Sequence, residues 1–303
     1  MRIGVFGLNS FASTVPETGL ELARLAEDLG YDSLWAGEHV VLPSPRVAPA
    51  PMEPTDAILD PLVWLAFVAA ATTRVRLGTG IIILPQRQPL VLAKQVASLD
   101  VLSGGRLLLG VGAGYLEPEL RAIGVPMSER GSRTDEHLDV MRALWTEPGP
   151  VSFHGRYTDV DGIDAHPRPV QAGGPPIVVG GRSAGAHRRA VGRGHGWYGF
   201  LHTVEAAAEQ VEGLARAAAT TPRPPHLGRL EISVTPAGRV DADQVRAFAD
   251  VGVDRLILLP GDRPPDEVAA SCWASAPGTW SPSFGRSACP CRSGAAGPTS
   301  TST

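Results

Sequence analysis

The stretch "VRLGTGIIILPQRQPLVLAKQVASLDVLSGGRLLLGVGAG", Val75 to Gly114, decides the fold. Its first ten residues, Val75–Leu84, form a nearly continuous apolar run, the pattern of a strand buried on both faces rather than on one. Pro89 then opens a helical run that reaches Leu102, and Gly104-Gly105 closes it. Arg106–Gly114, "RLLLGVGAG", is a second buried strand ending in glycines. A strand, a helix and a like strand in this order make a βαβ unit with parallel strands.

The same alternation extends both ways along the chain. Upstream lie a strand at Arg2–Phe6, a helix from Pro16 to Gly30, a strand at Asp32–Ala36 and a helix from Pro61 to Thr73. Downstream, strands are expected at Pro175–Gly181, Gly196–Phe200, Arg229–Val234 and Arg255–Pro260. Helices from Ser183 to about Arg193, Thr203 to Ala219 and Asp241 to Val251 separate them. Eight strand candidates with helices mostly between them fit the α/β class and a (β/α)8 TIM barrel. An open doubly wound sheet competes, but no G-x-G-x-x-G follows the first strand. Gly114 to Pro175 is too long for one crossover. It reads as an insertion between the fourth and fifth barrel strands, a helix (Arg130–Trp145) plus a hairpin (Val151–Val160), above the barrel mouth.

Composition narrows the function. The 303 residues carry a formal net charge of −4 with no basic stripe, which argues against nucleic acid as a partner. No apolar stretch approaches the roughly 20 residues of a membrane span, and "MRIGVFGLNSF" is too short an apolar run for a signal peptide. A cytoplasmic chain is expected. Lys94 is the only lysine, and the three cysteines, Cys272, Cys289 and Cys291, all lie near the C-terminus. Neither a disulfide framework nor a zinc site follows from that pattern.

The barrel pattern stops after Ala270, so residues 1–270 are expected to form one domain. Residues 271–303 have no period and are rich in Ser, Pro, Gly, Cys and Trp. A disordered terminus is one reading. A frameshift in a GC-rich gene is the other, favoured by the clustered Cys and Trp.

In a barrel of this kind the site lies at the C-terminal ends of the strands. Those ends carry Leu8–Phe11, Glu38-His39, Thr79-Gly80-Ile81, Gly112–Tyr115, Gly180–Ser183 and Trp197. Only Glu38, His39, Tyr115 and Arg182 among them are obvious polar actors. No metal constellation is visible, and Lys94 falls inside a helix, away from Schiff-base chemistry. A site short of acids and bases but rich in glycine relies on a cofactor for its chemistry, with the glycines admitting a planar group close to the backbone. "GGRSAGAHRR", Gly180–Arg189, is a strand–glycine–helix junction. It reads either as an anion site at a helix N-terminus, with Ser183 as cap and Arg182 as fixed charge, or as an ordinary tight turn before a basic helix. "GVGAGY", 110–115, lacks dinucleotide spacing, and its glycines read equally as bulges.

Together "DSLWAGEHVVLP", Arg74–Tyr115, "ERGSRTDEHLDVMRALWTE" and "PPIVVGGRSAGAHRRAV" resemble the bacterial luciferase-like monooxygenase superfamily, most of all its actinobacterial branch that uses the deazaflavin coenzyme F420. The resemblance covers residues 1 to about 270 and implies a (β/α)8 barrel holding a deazaflavin or flavin at its mouth. By that resemblance His39 stands beside the reactive face of the ring, with Glu38 as its acidic neighbour. Gly80-Ile81 marks a non-proline cis peptide behind the ring, and Thr79 joins them at the cofactor. Gly112, Ala113 and Gly114 form a loop near the cofactor, and Gly180, Gly181, Arg182 and Ser183 its phosphate site. Asn9, Phe11, Tyr115 and Trp197 shape the substrate pocket.

The implied activity is hydride transfer between coenzyme F420 (an 8-hydroxy-5-deazaflavin) and a small organic substrate. His39 would move the accompanying proton and Glu38 would orient it or bond the ring's edge. Alternatives are an FMN-dependent monooxygenase and, in another class, a cofactor-binding or damaged member without catalysis. A homodimer through barrel helices is also implied. Tyr115 stands where relatives often have Trp, or Glu in sugar-phosphate dehydrogenases, and His195 stands where Asp is usual.

Overall fold

The computed structural model describes residues 1–259. The expected domain end near Ala270 and the 271–303 tail lie outside the described residues. The chain begins with β1 (Arg2–Phe6), α1 (Pro16–Asp28), β2 (Ser33–Ala36) and α2 (Pro61–Ala69). β3 (Arg76–Thr79), the short β4 (Ile82–Ile83), α3 (Pro89–Leu102) and β5 (Leu107–Gly112) follow. Then come α4 (Glu117–Ala122), α5 (Arg130–Thr146) and the antiparallel pair β6 (Val151–His154) and β7 (Asp159–Ile163). The last third holds β8 (Ile177–Gly180), α6 (Ala184–Arg193), β9 (Gly196–His202), α7 (Val204–Ala218), β10 (Glu231–Pro236), α8 (Ala242–Asp250) and β11 (Arg255–Leu258).

The strands close into a parallel barrel in the order β1, β2, β3, β5, β8, β9, β10, β11 and back to β1. The single strand expected over Val75–Leu84 is two, because the ladder breaks at a cis Gly80–Ile81 peptide between β3 and β4. β4 then pairs only with the end of β5, Ile82 beside Val111 and Ile83 beside Gly112. The hairpin is fastened to α5. Glu136 accepts from the backbone N–H groups of Arg156, Tyr157 and Thr158 at 2.8, 2.8 and 2.7 Å.

Helix boundaries follow local chemistry. Pro16, Pro61 and Pro89 open α1, α2 and α3, where a missing N–H costs nothing. Asp60, Gln88, Ser183, Thr203 and Asp241 cap their helices through side-chain oxygens.

Alternation along the strands makes two apolar layers, which is why the strand runs are continuous. One, including Leu34, Leu77, Leu109, Val179, Trp197 and Leu256, lies between barrel and helices. The other fills the barrel: Trp35, Leu108, Val178, Tyr198 and Ile257, with Phe6 and Ile81 against them. Trp35 stacks on Tyr198 with ring centroids 5.7 Å apart. The N-terminal end of the barrel is plugged by charge. Arg255, fully buried, donates to Asp32 at 2.9 Å and to Glu231, and lies over the Trp35 ring. The opposite, C-terminal end is where loops and exposed side chains gather.

Candidate active site

At the end of β2 the chain turns through Gly37, Glu38 and His39. Asn9, completely buried after β1, braces this turn. Its amide donates to the carbonyls of Gly37 and Leu59 at 2.9 and 2.8 Å, and its oxygen accepts from Gly37 N–H at 3.1 Å. Those bonds use the donors Asn9 would need in a substrate pocket, so its place is behind the site.

Glu38 and His39 diverge. Glu38 is buried, accepts from Ile83 N–H at 2.5 Å and from Arg87 Nε at 2.9 Å, and pairs also with the second Arg87 nitrogen. Arg87 in turn reaches Asp60 at 2.6 Å. Burial pushes the Glu38 carboxyl up, with Arg87 and the Ile83 N–H pulling the other way. Burial opposes the Arg87 charge, but Glu38 and Asp60 outweigh it and hold its pKa above the ordinary value. Three N–H donors converge on this one buried carboxyl, a charge-assisted cluster. The expectation that Glu38 orients His39 is therefore corrected: its oxygens fasten β2 to the loop after β4.

The carboxylate that holds His39 is Glu119, 80 residues further on in α4. Its Oε2 lies 2.8 Å from His39 Nδ1, and its Oε1 accepts from Val40 N–H at 2.7 Å. The His39 and Glu119 side chains are 9% and 0% exposed. On the other side of the ring, Tyr115 Oη stands 3.4 Å from His39 Nε2, with the two rings edge to face. Burial pushes the Tyr115 phenol up, and the charge of Glu119 adds to it. His39 thus stands between a buried acceptor and a phenol that stays protonated.

The glycines have a more local explanation than close approach of a cofactor. A Cβ on Gly110 would stand 1.8 Å from the Thr79 carbonyl oxygen, and one on Gly112 would stand 1.9 Å from Ile81 Cδ1. The bare backbone of β5 makes room for the Thr79–Gly80–Ile81 turn. Thr79, buried, spends its hydroxyl on the Gly110 carbonyl at 2.7 Å. Ala113 and Gly114 are half-buried and lead to Tyr115.

Across the mouth, Gly181, Arg182 and Ser183 are exposed, Gly181 has φ +120°, and Ser183 Oγ accepts from Ala186 N–H at 3.2 Å. Arg182 donates to the Phe200 carbonyl at 2.6 Å. Two arginines of α6 are engaged elsewhere. Arg189 forks onto Asp135 at 2.8 and 3.0 Å, and Arg193 pairs with Asp139. Packing of α6 beside α5 takes both away from an anion at the helix start. A groove of about 480 Å³ between α6 and α7 includes Arg182, His187, Arg188 and Arg216 but none of His39, Tyr115 and Glu119.

Trp197 is not in the pocket. It is fully buried in the outer layer, donates to the Gly181 carbonyl at 2.8 Å and stacks on His202. Strand parity turns its neighbours Tyr198 and Phe200 inward instead. Phe200 meets Phe6 at 5.2 Å and Tyr198 at 6.3 Å. Burial pushes the Tyr198 phenol up, with its oxygen 2.7 Å from Thr235 Oγ1. Phe11, exposed with φ 53°, starts a short 3-10 turn after β1. Glu119, Arg87, Phe6, Phe200 and the buried Gln86 amide were missed by sequence reasoning. Glu119 in "YLEPEL" reads only as a first-turn acid, and no local signal ties it to His39.

Among the described residues no group of three or more His, Cys, Asp or Glu could hold a metal, and no helix is long and apolar enough to cross a membrane.

The family model for luciferase-like monooxygenases matches residues 1–274. The chain is 33% identical over 276 residues to an uncharacterised protein of Mycobacterium tuberculosis, covering 88% of this chain and 95% of that one. The monooxygenase RslO1 from Streptomyces bottropensis has a similar structure, with TM-score 0.71 and 25% identity over 90% of this chain and 96% of that one. An F420-dependent secondary alcohol dehydrogenase in complex with an F420-acetone adduct shares the fold, with TM-score 0.70 and 19% identity over 85% of this chain and 92% of that one. With a closed barrel, a histidine at its C-terminal rim and a match across nearly all of the described chain, this protein belongs to the luciferase-like monooxygenase family of oxidoreductases.

Proposed function

We propose that the chain is a coenzyme F420-dependent oxidoreductase acting on a small organic substrate. The observation that carries this reading is His39, held by Glu119 on one ring nitrogen while the other faces Tyr115 at the barrel rim. Around it the mouth offers apolar surface, with Phe11, Val40, Tyr115, Phe200 and Leu201 exposed. A site with one placed proton carrier and little other acid–base chemistry suits a cofactor that supplies or accepts the hydride.

The residues present fit such a group. After buried Gly180, the exposed Gly181–Ser183 turn leads into the N-terminus of α6, whose first N–H groups suit a phosphate, with Arg182 beside them. The Gln86 amide, in the turn after β4, is buried without a partner among the described residues. Buried polar atoms of this kind are satisfied by a ligand or water. Thr79, Gly80, Ile81 and the Gly112–Gly114 segment would back the ring. His39 Nε2 would donate or accept the single proton that accompanies hydride transfer, and Tyr115 would hold the substrate oxygen.

An FMN-dependent monooxygenase is the second reading, favoured by the 25% identical monooxygenase neighbour. Titration of the purified protein with each cofactor separates them. Tight FMN binding with no response to F420 refutes the first. Thermal unfolding tests the non-catalytic alternative: a cooperative melt raised by cofactor supports an enzyme, and absence of any cooperative melt supports a damaged chain. A homodimer is part of the proposal. α2 is apolar on all sides, leaving Val63 70% and Phe67 44% exposed, and Val91 of the neighbouring α3 is exposed too, a pattern of helices that expect cover. Sedimentation equilibrium tests it, with a monomer refuting this part.

A further inference from the structure

We propose that Glu119 is a positioning residue that fixes the tautomer of His39, keeping a proton on Nδ1 and making Nε2 the atom that exchanges a proton with the substrate. This rests on the role proposed for His39 but is tested apart from it.

The carboxylate of Glu119 has two oxygens. Each faces one donor site: Oε1 the backbone N–H of Val40 at 2.7 Å, Oε2 the His39 Nδ1 at 2.8 Å. The side chain is fully buried, so no water competes. A backbone amide can only donate, which assigns Oε1. A carboxylate can only accept, which puts the proton on Nδ1. The lone pair of the neutral ring is then on Nε2, facing Tyr115 Oη at 3.4 Å. Because Val40 follows His39, the one carboxylate grips both the ring and the backbone that carries it.

The grip is rigid. Leu120, next to Glu119, packs with Ile83 and Val125 in a small buried cluster. Ile83 is the residue whose N–H is held by Glu38. The two carboxylates thus bracket one apolar cluster, one fastening the strand end and the other the histidine.

Glu119→Gln tests this through the chemistry of an amide. Gln has one accepting oxygen and one donating nitrogen. The Val40 N–H takes the oxygen, which turns the NH2 group towards His39 Nδ1. Nδ1 must then accept, so the proton moves to Nε2, and the doubly protonated ring faces a donor. The variant inverts what the ring offers to the mouth while keeping the side chain's shape.

The full-length protein, labelled with 15N-histidine and without cofactor, is measured by long-range 1H–15N spectra, with the pH raised until the His39 signals stop moving so that the neutral ring is read. His39→Ala assigns the signal by difference. The wild type is expected to show protonated Nδ1 and bare Nε2, and Glu119→Gln the reverse. Glu119→Asp, which keeps two acceptors, is expected to return to the wild-type pattern. In turnover, Glu119→Gln should lower kcat about 100-fold, the low end of the general acid–base range, with cofactor affinity unchanged. A wild-type His39 protonated on Nε2 overturns the proposal, and this arm stands even if the variants do not fold. An unchanged tautomer in folded Glu119→Gln also overturns it. Since the spectra need no cofactor, failure of the F420 reading leaves the result intact.

Discussion

Replacing Glu38 by Gln should unfold the protein more readily without removing its chemistry. The carboxylate is 1% exposed at the side chain and meets Arg87, itself 16% exposed. Removing one partner of a buried ion pair costs about 3–5 kcal/mol when the other charge is left uncompensated. Two features reduce that here. Arg87 keeps Asp60 at 2.6 Å, and Gln retains an oxygen for the Ile83 N–H. A loss of about 2–3 kcal/mol follows, which for a chain of this size lowers Tm by about 3–6 °C. The assay is urea and thermal denaturation beside steady-state turnover measured well below the new Tm. Glu38→Leu, which removes the acceptor for Ile83 as well, should cost more than Glu38→Gln. A Glu38→Gln protein within about 0.5 kcal/mol of wild type, the range of an ordinary surface substitution, would refute the reasoning. So would one of full stability that has lost turnover, since Glu38 would then act on substrate rather than on the scaffold.

Three further outcomes follow from the geometry. His39→Ala should bind cofactor normally and lose turnover by about 100-fold or more, and full turnover would remove His39 from the mechanism. Gly110→Ala, whose Cβ would meet the Thr79 carbonyl at 1.8 Å, should fail to fold, while Gly112→Ala, which meets the movable end of Ile81, should cost about 1–3 kcal/mol; equal stabilities would refute the distinction. Burial, with neighbouring arginines, depresses His195 and His202 to about 4. Both are neutral in the fold and take up protons when it unfolds, so the stability they contribute is complete above about pH 6.5 and is lost as pH falls towards 4. Allowing for solvent screening, the two together amount to about 2–4 kcal/mol by denaturation at pH 7 and pH 4.5, and a flat profile would refute it.

His195 also shows how a sequence departure is absorbed. Its Nδ1 accepts from Ile177 N–H at 3.0 Å at the start of β9. A neutral imidazole is a sufficient acceptor there, which agrees with its depressed pKa.

The sequence by itself determined the barrel. Strand runs buried on both faces, prolines at helix starts and Ser or Asp caps are local signals, so eight strands and their order were readable, as was the placing of His39 at a strand end. The contacts across the chain were decided only by the tertiary structure. Glu119 reaches His39 over 80 residues, while Glu38, next in sequence to His39, turns to Arg87. Trp197 and Tyr198 look alike as buried aromatics, and only strand parity sends the first outward and the second into the barrel. Arg189 and Arg193 follow the Gly180–Ser183 turn closely in sequence, yet α5 comes alongside and takes them up with Asp135 and Asp139. Periodicity encodes which face of an element is buried. Which polar group meets which depends on how the closed barrel brings distant strand ends and helices together, and no window of sequence contains that.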